Sequence, residues 1–101
     1  MRTYTGTLIA DLILPAARSL KERRGPLRAL TQRLRNHDFC VAQVGPADLI
    51  QRAFLAVSAV SGSSGQTEEL LDKAERILFA SDFEVADLRR QVNSETFNSG
   101  P

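Results

Sequence analysis

The sequence has no tryptophan and only one each of tyrosine, histidine, methionine and cysteine among its 101 residues. A lone Cys40 cannot form an internal disulfide, and a chain built that way suits a reducing compartment; a cytoplasmic location is expected. A metal centre at His37 and Cys40 would have to borrow further ligands from carboxylates with no motif spacing behind them, so no metal site is expected. His37 at a helix end suits a capping position, and Cys40 in a strand suits a small core hydrophobe. Nothing places a base beside Cys40 to activate it. Paired carboxylates, a serine–histidine set and a glycine-rich phosphate loop are all missing, so the reading is of a protein that is not an enzyme, with no catalytic residues, cofactor or small-molecule substrate. Long apolar runs are missing too. The longest, Phe54–Val60, is seven residues and contains Ser58, far short of a membrane span. The N-terminal stretch alternates rather than forming an apolar block, which argues against a secretion signal.

Cations are present, and they are unevenly placed. Residues 1–52 carry nine Lys/Arg against four Asp/Glu, and residues 53–101 carry four against eight. Seven of the thirteen Lys/Arg lie between Arg18 and Asn36, with Glu22 the single acid. This stretch also has the best helix signal: Ser19 followed by Glu22 is a capping box, and Leu20, Leu27, Leu30 and Leu34 recur at helical spacing. At about 100° per residue, Lys21, Arg24, Arg28 and Arg35 share a strip beside that stripe. Gly25-Pro26 interrupts the pattern, because an interior proline lacks the donor to the Glu22 carbonyl and clashes with it. A long helix bent or loosened around Glu22–Pro26 is expected.

In chain order, Thr3–Leu14 alternates as a strand, with Ile9, Asp11 and Ile13 on its second face. Asn36–Asp38 is a turn, Phe39–Val44 a second strand, and Gly45–Asp48 another turn. Gln51–Val60 is a nearly continuous apolar third strand, which suggests a central position. Ser61–Gly65 (SGSSG) is a flexible connection. Glu68–Ala80 is a second helix with an acidic first turn, facing Leu70, Leu71, Ala74, Ile77 and Leu78 inward. Phe83–Arg90 is a fourth strand. Residues 1–92 are then one domain and 93–101 a polar, flexible tail. The order β-α-β-β-α-β with right-handed crossovers defines an α+β, ferredoxin-like sandwich: a four-stranded antiparallel sheet with two helices on one face.

Leu14-Pro15, Arg18-Ser19-Leu20-Lys21-Glu22, Val44-Gly45, Asp48-Leu49, Gln51-Arg52-Ala53 and Val60-Ser61 together resemble the YlxP-like family of small bacterial proteins, a domain of unknown function, over roughly Tyr4–Leu88. The resemblance implies the ferredoxin-like fold and, from the translation and ribosome-maturation genes beside which such genes lie, a role near RNA or the ribosome. Three positions depart from the family pattern: Ile50 stands where a tryptophan is usual, Gln43 where a glutamate is, and Gly25-Pro26 where the helix would run on smoothly.

Two surfaces compete for function. The first is a basic one: Arg18, Lys21, Arg23, Arg24, Arg28 and Arg35 are expected to contact RNA or ribosomal phosphates, with Arg18 and Arg23 at the helix entrance. The sheet offers few exposed aromatics, so backbone rather than base recognition is expected there. The alternative is a protein-interaction module in which Ile9, Ile13 and Phe54 on the open sheet face pair with a second copy, making a homodimer without direct RNA contact. Asp11 and Arg52 are expected to pair across neighbouring strands. The blandest reading of the cations is a solvated helix face.

Overall fold

Alternation and amphipathic spacing produce the elements in the expected order in a computed structural model that describes residues 1–98. Strand β1 is Arg2–Ile13, helix α1 Leu20–Asn36, β2 Cys40–Val44, β3 Arg52–Ser61, α2 Ser64–Phe79 and β4 Glu84–Thr96. One antiparallel sheet runs β2-β3-β1-β4. Leu8, Leu12, Leu55 and Val57 project from its centre onto Leu34, Leu71 and Leu78 of the helices, all fully or almost fully buried. The fold is therefore the ferredoxin-like α+β sandwich.

Helix α1 starts where the capping box places it. Ser19 Oγ accepts the Glu22 amide at 3.1 Å, and the Glu22 carboxylate reaches one residue further back to accept the Arg18 amide at 2.7 Å. The helix continues unbroken through Pro26. It ends in a Schellman motif: Phe39 N–H donates to Leu34 O (3.2 Å) and Asp38 N–H to Arg35 O (3.0 Å), with Asp38 left-handed at φ 67°. Phe39 and Leu34, the apolar pair that accompanies such a motif, are both buried.

Several boundaries differ from the sequence expectation. The serine–glycine stretch is not merely a connection, because Ser63 caps α2 by accepting Gln66 N–H at 3.1 Å, and the helix begins at Ser64, four residues before the expected Glu68. Its first turn consequently carries no acid. Strand β4 runs to Thr96, so residues 93–96 belong to the sheet, where they pair with β1. The rest of the expected tail lies outside the described residues from position 99 on. Leu20 is 37% exposed, and the α1 stripe is Arg23, Leu27, Leu30 and Leu34 instead.

Candidate nucleic-acid interface

The cationic strip of α1 forms as spacing requires. Lys21, Arg24, Arg28 and Arg35 are exposed, and Arg18 is exposed just ahead of the helix. At about 1.5 Å rise per residue the strip from Lys21 to Arg35 spans roughly 21 Å. Ion pairs among the described residues involve Arg52, Arg89 and Arg90, and none of the α1 cations. Arg35 Nη2 donates to the Val41 carbonyl of edge strand β2 at 3.2 Å, which ties the strip to the sheet edge and leaves the other donors of that guanidinium available.

Arg23 does not belong to the strip, which corrects its assignment as a phosphate ligand. It is 5% exposed, and its guanidinium donates to the carbonyls of Leu49 (2.6 Å), Arg52 (2.5 Å) and Ala47 (3.0 Å). Its Nε is buried without a hydrogen-bond partner among the described residues. Sequence spacing contained the signal: Arg23, Leu27, Leu30 and Leu34 fall at i, i+4, i+7 and i+11, the inward face of a helix. Arg33, absent from the predicted row, is exposed on the α2 side of α1, where it lines a cleft of about 160 Å³ with Ser81 and Asp82.

Beside the strip, a groove of about 290 Å³ separates α1 from β2. Arg24, Arg28 and Arg35 form its helical side with Thr31 and Gln32, Gln43 its strand side, and Leu27 contributes apolar surface. Among the described residues no carboxylate lines it. A second, wider cleft of about 560 Å³ lies between residues 17–18 and the β2–β3 loop, which presents Leu49 and Ile50 to solvent. Two side chains hold that end together: Arg23 through the three carbonyls, and Gln51 Nε2 by donating to Pro15 O and Ala17 O at 3.1 Å each. Most of the residues that carry the family resemblance therefore gather at this end, with Gln51 among them acting as a tie.

The open sheet face carries all three residues predicted to meet a partner. Ile9 is 45% exposed, while Ile13 and Phe54 are half-buried. They do not make one apolar patch. Register places Asp11 opposite Phe54 and Ile13 opposite Arg52, and Arg52 grips Asp11 through two hydrogen bonds (2.8 and 2.5 Å) while its guanidinium lies 5.2 Å from the Phe54 ring centre. That double hydrogen bond holds the Asp11 carboxyl below its ordinary range, against a smaller opposing effect of burial. Cys40 is exposed on β2 rather than in the core, and His37 is the α1 C-cap residue, donating its backbone N–H to Leu34 O. Among the described residues no cluster of three His, Cys, Asp or Glu side chains is positioned for a metal, and no helix is long and apolar enough to cross a membrane.

Negative charge collects on the far side of the helical layer. Arg90 of β4 donates to Asp72 (2.8 Å), Glu68 (2.5 Å) and Glu75 on α2. Burial pulls the Arg90 pKa down, but the three carboxylates more than reverse this and hold it above its usual range.

Fold and surface together define a ferredoxin-like α+β domain with a cationic helix on one edge. The chain belongs to the family described as "Protein of unknown function (DUF503)", whose model matches residues 5–90. No curated protein matches it significantly. Among solved structures it is similar to the de novo designed protein Ferredog-Diesel, with a TM-score of 0.48 and 13% identity over 86% of this chain and 83% of that one.

Proposed function

We propose that this protein is a non-catalytic accessory of translation that binds RNA, free or within the ribosome, through the phosphate backbone along α1. One observation carries the reading: Lys21, Arg24, Arg28 and Arg35 share an exposed strip free of ion pairs among the described residues, whereas the arginines of β3 and β4 are all paired with carboxylates. Unpaired cations in a row neutralise successive phosphates and release counterions, a gain that does not depend on sequence. The resemblance to the YlxP-like family supports the same reading. The sheet suits base stacking poorly, since within the four strands Phe54 is the one aromatic on the open face and lies beneath Arg52.

The test is RNA or ribosome binding measured across a salt series. Four phosphate contacts give a log–log slope near −3, at about −0.7 per contact for single strands. Replacing Lys21, Arg24 and Arg28 by Gln is expected to reduce its magnitude by roughly two and to weaken binding equally for all sequences. Salt-independent binding, or a folded triple variant that binds like wild type, would leave the strip as a solvated surface.

A further inference from the structure

We propose that the groove between α1 and β2 holds one unstacked nucleobase of a bound RNA single strand, an assignment that rests on the backbone reading above. Its volume of about 290 Å³ is ample for one base. The lining changes character from rim to floor. Arg24 and Arg28 stand one helical turn apart on the rim, spaced for neighbouring phosphates, while Leu27 below them gives an apolar surface. Polar groups of neutral type complete the walls. Gln32 is bonded to Asn36 at 2.9 Å, but the Gln43 amide and the Thr31 hydroxyl have no hydrogen-bond partner among the described residues. A primary amide offers a donor and an acceptor side by side, which is the pattern that reads a base edge. Arg35, anchored by its bond to the Val41 carbonyl, presents a planar guanidinium on which a base can stack. With no acid in the lining among the described residues, an anionic strand enters without repulsion. Duplex RNA keeps its bases stacked and paired, so this site selects single strands.

The experiment compares hexameric oligoribonucleotides of A, C or U with an abasic hexamer of the same charge, by fluorescence anisotropy on the full chain. Wild type is expected to bind at least one base-bearing hexamer about tenfold more tightly than the abasic one. Gln43→Ala, a change at an exposed position, is expected to remove that ratio while leaving the salt slope and melting temperature unaltered. Equal affinity of wild type for base-bearing and abasic hexamers overturns the base site and leaves the phosphate contacts standing. A tenfold ratio that survives in Gln43→Ala also overturns it. If no hexamer binds, both readings fall.

Discussion

Arg23 places a charge at a core position, with no carboxylate among the described residues paired to it. A guanidinium taken out of water loses strong hydration, and three carbonyls of the β2–β3 segment replace it. Its methylene stem continues the leucine stripe while its head fastens the loop. Arg23→Met keeps the stem and removes the donors. It is expected to destabilise the fold by about 2–4 kcal/mol in urea denaturation, since hydrogen bonds to charged groups contribute about 1.5–3 kcal/mol each and are not additive. Arg24→Met, on the exposed strip, is expected to stay within about 0.5 kcal/mol; equal effects at the two positions would contradict the tie. Spacing made the buried face legible, but residue type concealed that Arg23 lies on it, because a charge on a stripe is ordinarily read as its polar margin. Asp11 shows the opposite case, a pair foreseen from strand alternation and found. Because Arg52 lowers the Asp11 pKa in the folded state, the pair's contribution is full above the ordinary carboxylate value of 3.8 and is lost as pH falls through the folded value. Wild type should therefore lose thermal stability more steeply than Asp11→Asn between about pH 5 and pH 2. Parallel losses would mean that the pair contributes nothing.

Among the elements, α2 and β1 approach each other closely at Gly6. A β-carbon there would lie 2.7 Å from Thr67 Cγ2 and 2.8 Å from Leu71 Cδ1, so the helix sits where only a glycine allows it. Thr67 is itself fully buried, its hydroxyl shared between Ser61 Oγ (2.6 Å) and Ser63 O (3.0 Å). Gly6→Ala forces these groups apart and is expected to destabilise by about 1–3 kcal/mol, read as a lowered denaturation midpoint with an unchanged m-value. A neutral substitution would show that α2 shifts freely over the sheet. The kinds and order of all six elements were readable from periodicity. Their ends were less so where stability comes from tertiary pairing rather than local pattern. Asn93–Thr96 looks like a polar tail because its strand conformation depends on β1 across the sheet. Ser61–Gly65 looks like a linker because a cap and a buried threonine hydroxyl use the same residue types as flexible loops. The cationic strip was legible because exposed positions follow directly from the buried ones. The α1–β2 groove was not, since Gln43 meets α1 only through the fold.

The whole molecule is long, 59 Å against 23 and 22 Å, and its first and last strands lie side by side. Their ladder joins Ile13 to Glu84 at one end and Arg2 to Thr96 at the other, and beyond it the Met1 amine donates to the Phe97 carbonyl at 2.8 Å. Every pair in that ladder bridges most of the chain, so its closure carries a large loop entropy before any contact repays it. The central strand β1 is therefore expected to acquire β3 before β4, with the search between distant segments limiting the rate of folding. Connectivity and architecture can be separated here. A permuted chain that links Phe97 to Met1 through a few residues and opens at Gly62, a glycine surrounded by open space, turns the longest-range ladder into a hairpin. Such a chain is expected to refold about tenfold faster in stopped-flow measurements while keeping the same sheet, and an unchanged rate would place the barrier elsewhere, in the crossover that carries α1 over β2 and β3.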